Sequence, residues 1–454
     1  MRQVSDEQRY LDFTTETSLK VVEDYRRKYE VINEVLEAND LILWLVHEDL
    51  EKLSSSSEGR KGKYTTENLF RALVVHQIEQ TSLRETVIRI SESSTLRGFI
   101  RLGERPVMDF TFLNRCFKAI SADTWKMLNE ELAGYATKKE GVDPRTVRVD
   151  STVIEANIHY PTDSSLLWDG WRVLARLLRA VREEAPVLCP HRFHDKKVKK
   201  DFVYVNRYIK SQAKRRQREV KRRFQRLVVN VRRLHGIGKG LVKELKSTEP
   251  VKLRALREEL RHYLPLIKQV CEVAERAQLK GETVPASDRI FSLFEEHTEL
   301  IKRGKARKPV EFGHAVWMAQ TREKFITDYE VMEKKEPDSE LLEEITARHK
   351  ELFKHYPEGL AADQGFRGEA EEMAIINERV STVAVPSRGR SSESKIDVCW
   401  HHFRAGIEGS ISVLKRAFRL SVCVYRGFKS FAAAVGMAVF CHNLVSLVPK
   451  PTSG

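Results

Sequence analysis

In the segment HHFRAGIEGSISVLKRAF (401–418), Arg404, Glu408 and Lys415 follow one another at intervals of four and seven residues. At about 3.6 residues per turn, that spacing puts the three in one row along a helix, beside an apolar stripe of Ile407, Ile411, Leu414 and Phe418. A surface helix with a salt-bridge row is the ordinary account of such a pattern. A carboxylate between two cations also suits a metal ligand whose neighbours grip phosphate. Two further acids sit where a sheet would hold them: Asp150 within TVRVDSTVI and Asp363 at the end of GLAAD. Carboxylates converging from separate elements suit hard divalent ions, which in pairs serve phosphoryl transfer by activating the attacking oxygen and stabilising the leaving one. Each acid alone has a plainer reading, since Asp after a strand is common turn chemistry and Glu408 can simply pair with Arg404.

The elements that must position these residues follow from periodicity. Residues 1–60 read as helical, with Val21, Val22, Tyr25, Tyr29, Ile32 and Leu36 at helical spacing. SSSSEGRKGK (54–63) is a polar break and a linker candidate. A helix-break-helix stretch follows from residue 61 to 140, with Thr66 or Ser82 as caps. It fits either a DNA-binding domain or an ordinary helical bundle. At Arg145 the period changes to alternation, and TVRVDSTVI reads as a strand with Arg148, Asp150 and Thr152 on one face. From 165 to 308 the pattern is long, basic and helical. Strands return at VEFGHAVWMA (310–319) and KFITDYEVME (324–333), a hairpin candidate around Gln320–Glu323. An acidic helix near 337–354, the short strand GLAAD, a helix at 369–378, the strand STVAVP (381–386) and a polar loop come next. The 401–418 helix and an apolar helix, SFAAAVGMAVFCHNLVSLV, follow. The expectation is an α/β chain: one mixed sheet assembled from 141–164 and 309–449, interrupted by a large basic helical insertion at 165–308.

Composition narrows the class. With 41% apolar and 32% charged residues, the 454-residue chain is globular and long enough for several domains. The opening MRQVSDEQRY lacks the apolar core of a signal peptide, and the apolar run from Phe431 to Cys441 is too short to span a bilayer, so no membrane partner is expected. Six scattered cysteines without a CxxC pair fit a reducing cytoplasm. Cys189, His191 and His194 have zinc-like spacing without a fourth ligand. A formal charge of +14 points to a polyanionic partner. Residues 191–250 hold 20 Lys or Arg against 5 Asp or Glu, so this segment alone exceeds the charge of the whole chain. Within it, Lys214, Arg215, Arg216, Arg218, Lys221, Arg222 and Arg223 are the DNA-binding candidates, because neutralised phosphates release counterions.

The pattern His401-(2)-Arg404-(3)-Glu408-(6)-Lys415 resembles the Y-(2)-R-(3)-E-(6)-K signature of bacterial insertion-sequence DDE transposases, with His401 standing where the family has tyrosine. VDSTVIEANIHYPTDSSLLWDG resembles the first-aspartate block of that family, AADQGFRG its second, and KPVEFGHAVWMA the strand block between them; 66–120 is similar to its N-terminal domain. The basic insertion points toward the loosely grouped ISNCY-type elements. The resemblance implies an RNase H-like mixed sheet flanked by helices and two Mg²⁺ (or Mn²⁺) ions held by Asp150, Asp363 and Glu408. It gives Arg404 and Lys415 the scissile-bond phosphates. It further implies double-stranded DNA partners (transposon ends and target), a homodimer or higher oligomer on DNA, and a cytoplasmic, nucleoid-associated protein.

Asp163 and Asp169 compete for the place of Asp150, but a sheet fixes a ligand better than the loop YPTDSS. Asn157, His159 and Asp163 either shape the site's rim or cap the loop. The function expected is cleavage at element ends followed by joining of the 3′-hydroxyl to target DNA. Two alternatives stay open: an RNase H-like nuclease without strand transfer, and a catalytically inactive DNA-binding relative.

Overall fold

The computed structural model of the chain describes residues 2–5, 19–53, 62–245, 250–302, 308–387 and 395–449. The serine-rich break at 54–61 and most of the polar loop, 388–394, lie outside the described residues. The chain divides into two compact units, one made of Met1–Asn157 with Gly313–Gly454, the other of Ile158–Phe312.

In chain order, the first unit opens with α1 (Lys20–Glu37), α2 (Asp40–Glu51), α3 (Thr66–Ile78), α4 (Leu83–Glu92), α5 (Ser94–Phe99), α6 (Phe110–Ala119), α7 (Ala122–Lys139) and β1 (Thr146–Ala156). The second unit comprises α8 (Asp163–Glu184), α9 (Asp195–Tyr208), α10 (Lys214–Glu244), α11 (Val251–Ala274) and the short strand β2 (Glu299–Lys302). The chain continues with β3 (Val310–Thr321), β4 (Ile326–Val331), α12 (Leu342–Phe353), β5 (Gly359–Ala362), α13 (Ala370–Arg379) and β6 (Thr382–Ala384). It ends in α14 (Lys395–Ala417), β7 (Val422–Cys423) and α15 (Phe428–Ser446).

The first unit is built on a mixed sheet in the order β3-β1-β5-β6, with β4 also on β3 and β7 on β1. β1 is antiparallel to β3, with Asp150 opposite Met318, and parallel to β5 and β7. Its residues are buried or half-buried throughout, as a central strand covered on both faces must be. β3 and β4 form the expected hairpin, closed where the Thr321 amide donates to Phe325 O (3.0 Å) and Lys324 takes a left-handed φ of 69°. α15 has the length and hydropathy of a membrane span. Its residues from Phe431 to Leu444 are nevertheless all buried, and it packs against α3, α7 and β4 as the core helix of this unit.

Two expectations need correction. The cap of α3 is Thr65, not Thr66: Thr65 Oγ1 accepts from the Asn68 amide (3.1 Å) while Asn68 Oδ1 accepts from the Thr65 amide (3.0 Å). Ser82 does cap α4. The long helices of the basic insertion end at Leu279; beyond it the chain runs through irregular backbone with one short 3-10 turn (Ala286–Asp288) into β2. The two-residue strand β7 was invisible to a period argument, being too short to show one.

In the second unit, α8, α10 and α11 pack through Leu167, Leu174, Leu178, Leu227, Val231, Leu234, Leu260 and Ile267, all essentially inaccessible. Gly238 permits the close crossing, since a methyl there would meet Leu264 at 3.3 Å and Leu260 at 3.4 Å. This unit therefore owns a core separate from that of the sheet.

Candidate active site

The parallel pairing of β1 with β5 aligns Thr146 with Gly359, Val147 with Leu360, Arg148 with Ala361 and Val149 with Ala362. One residue further along each strand stand Asp150 and Asp363. Residues level with one another on adjacent parallel strands point to the same face, with the strands about 4.8 Å apart. Local backbone bonds hold both carboxylates: Asp150 accepts from the Ser151 amide and Asp363 from the Gly365 amide, each at 2.8 Å. Asp363 thereby caps the short 3-10 turn Gln364–Phe366 that ends the strand.

α14 lies over β1 and β5. Arg148 fixes that docking: its guanidinium bonds Gln320 Oε1 on β3 (2.7 and 2.9 Å) and donates to Phe403 O on α14 (2.8 Å). Helix and strand approach so closely that a methyl at Gly406 would sit 2.0 Å from the Arg148 guanidinium. Ile407, Leu414 and Phe418 are buried beneath the helix, as the apolar stripe requires. Lys415 Nζ donates to Val153 O of β1 (2.7 Å) and so braces the helix against the strand. Arg404 meets Glu408 at 3.4 Å, with the Glu408 side chain 61% exposed. An exposed pair of this kind is held by well under about 1 kcal/mol, so Glu408 is free to reorient. His401 is exposed beside His402.

The charges of these elements meet at Asp150. Burial pushes its carboxyl up to about 6; the Ser151 amide opposes that shift, Asp363 adds to it, Arg404 pulls it back and Glu408 raises it again. One group thus senses both other acids and the arginine. A fourth carboxylate, Asp338, stands close by: Ser151 Oγ donates to its Oδ2 (3.0 Å), while its Oδ1 is buried with no hydrogen-bond partner among the described residues. A methyl at Gly365 would lie 3.0 Å from Asp363 Oδ1 and 3.8 Å from Asp338 Oδ2, so the glycine separates two carboxylates. Asp338 carried no sequence signal beyond its place after Pro337 at the start of an acidic helix.

Among the described residues, no three His, Cys, Asp or Glu side chains are gathered into a ready-made ion cage. The donor set nonetheless fits a divalent cation. It is all oxygen, one acid is destabilised in its charged form by burial and, to a lesser degree, by the other acids, and one nearby carboxylate oxygen is orphaned. Swinging the exposed Glu408 inward would complete the trio.

The competing acids are engaged within the second unit. Asp169 is buried and bonded to His159 Nε2 (2.6 Å) and to Arg172; Asp163 pairs with Arg289 (3.0 Å) and accepts from Gln278 (2.6 Å). Of the α10 cations, Lys214, Arg215, Arg216, Arg218, Lys221 and Arg222 are exposed. Arg222 and Arg223 pair with Glu219, and Arg223 also reaches Asp201 (3.4 Å). In the amino-terminal bundle, α3 is buried on every face from Thr66 to Gln77, so it presents no surface to a partner. No protein-family model matches the sequence, and comparison with curated proteins and with solved structures finds no match.

Proposed function

We propose that the chain is a DNA transposase of the insertion-sequence DDE class, whose first unit is an RNase H-like catalytic domain. The observation carrying this reading is the β1–β5 register, which makes Asp150 and Asp363 neighbours across more than two hundred residues of sequence, with Glu408 and Arg404 electrostatically coupled to Asp150. Asp150, Asp363 and Glu408 would hold two Mg²⁺ or Mn²⁺ ions. When bound, such ions supply charge neutralisation at the phosphate and an attacking oxygen of lowered pKa. The chain's own residues do the positioning. The sheet fixes Asp150 and Asp363, while Glu408 closes from α14. Arg404, released from Glu408 by that movement, would be free to take a phosphate oxygen. Lys415 keeps α14 seated on β1, a bracing role alongside the phosphate contact that its motif suggests. The reaction is hydrolysis of a phosphodiester at the element end, followed by in-line attack of the exposed 3′-hydroxyl on target DNA.

Asp363→Ala is expected to abolish Mg²⁺-dependent cleavage of an element end while leaving DNA binding largely intact. Unchanged cleavage would refute the assignment, and a plasmid-joining assay on the wild type distinguishes a transposase from a nuclease that only hydrolyses.

A further inference from the structure

α9 reads DKKVKKDFVYVNRY, and its two faces are chemically opposed. Val198, Asp201 and Val205 are buried against the rest of the second unit. Lys196, Lys199, Lys200, Val203, Tyr204, Arg207 and Tyr208 recur at the three- and four-residue spacing of an apolar stripe, yet they line an open groove of about 580 Å³ together with Arg223 of α10. The stripe is about 18 Å long at the rise of an α-helix.

The groove is built in two layers. Its floor is aromatic: the Tyr204 and Tyr208 rings lie 4.7 Å apart, Arg223 sits 4.2 Å over Tyr204 and Arg216 5.0 Å over Tyr208. Asp201, which is buried, anchors Arg223 and Arg226 and so fixes the arginine end of this stack. Its rim is cationic: Lys196, Lys199, Lys200 and Arg207 make no ion pair with any carboxylate among the described residues. Four uncompensated cations in one row call for a polyanion, and a mainly carbon-lined floor with two tyrosine rings calls for flat apolar groups between the charges. A paired duplex offers the charges but keeps its bases in its own stack. An unpaired strand offers both, through phosphates at the rim and bases on the rings.

We infer that this groove binds single-stranded DNA. Its charges and rings point to an unpaired strand independently of the carboxylate site; only the choice of DNA over RNA rests on the transposase reading.

The test is fluorescence anisotropy with the full chain in EDTA, so that binding is read without any metal-dependent step. The probes are a labelled 20-residue oligo(dT), a duplex of equal length and a 20-residue oligo(U). Oligo(dT) is expected to bind tighter than oligo(U), while the duplex, for which α10 offers exposed cations of its own, serves as the control: its affinity should change less than about threefold in the α9 variants. Lys199→Glu with Lys200→Glu, both at exposed positions, should weaken oligo(dT) binding about tenfold or more and reduce the salt slope by about 1.4, the value for two phosphates of a single strand left without a cation. Tyr208→Ala should weaken it about tenfold, with Tyr208→Phe restoring most of the loss. Unchanged affinity in the double lysine variant, with its thermal melt intact, would overturn the inference. So would an equal loss of duplex affinity in that variant, or oligo(U) bound as tightly as oligo(dT). Failure of end cleavage with this binding intact would instead remove the catalytic reading alone.

Discussion

The two units use charge in opposite ways. In the first, a few acids are placed by strand register and helix docking, and what matters is their mutual geometry: Asp150 senses Asp363, Glu408 and Arg404 at once. In the second, cations are spread along amphipathic helices whose apolar faces form an independent core; some are ion-paired, as Arg226 is with Asp201, and what matters is the number left exposed. A site of the first kind should fail when one residue changes. A surface of the second kind should weaken by increments.

The sharpest blow to the acidic site short of removing a ligand is Arg148→Ala. It leaves Gln320 and Phe403 O without their buried partner and loosens α14 from the sheet. A loss of about 2–4 kcal/mol in urea unfolding is expected, accompanied by loss of cleavage. A variant of wild-type stability would show that α14 is seated by its apolar stripe and Lys415 without help from Arg148.

The next effect concerns pH. The raised Asp150 pKa means that the folded state holds a proton which the unfolded chain has already released between the ordinary aspartate value, near 3.8, and about 6. Metal-free stability therefore falls as pH rises through that window and stays low above it. Asp150→Asn keeps the amide bond from Ser151 and removes the charge. It should be more stable than the wild type by about 1–3 kcal/mol at pH 8 in EDTA, with the difference vanishing near pH 4. Equal melting curves at pH 8 would show that burial does not disfavour the charged Asp150 carboxylate.

The smallest single effect belongs to the basic unit. Lys214, Arg215 and Arg218 are exposed and have no carboxylate partner among the described residues. Reversing their charges should reduce the salt slope of duplex binding by about 0.9 for each phosphate left without a cation. Cleavage of DNA supplied at saturating concentration should change little. An unaltered slope would place the duplex elsewhere.

Much of the first unit was legible because its signals are local. Alternation marked β1 and the β3–β4 hairpin, the terminal Asp marked the end of β5, and the stripe of Ile407, Leu414 and Phe418 marked the buried face of α14. What could not be read is non-local. No period reveals that β5 pairs in parallel with β1, or that Ser151 reaches Asp338 across the fold. The same limit hid the role of Lys415 toward Val153 and that of Arg148, which alternation placed on the Asp150 face but whose partners come from β3 and α14. In α9 the spacing was visible, but whether its stripe faced a core or solvent depended on which side Val198 and Val205 would choose.

The catalytic reading requires Asp150 and Asp363 to serve one ion-binding pocket, and a double-mutant cycle on Mn²⁺ affinity, followed by the electron paramagnetic resonance signal of free Mn²⁺, tests it most directly. Asp150→Asn and Asp363→Asn should each weaken binding by about tenfold or more, and the double variant should lose little beyond either single one, as expected for acids that act as a unit. Independent, additive losses, or Mn²⁺ affinity unmoved by either substitution, would contradict it.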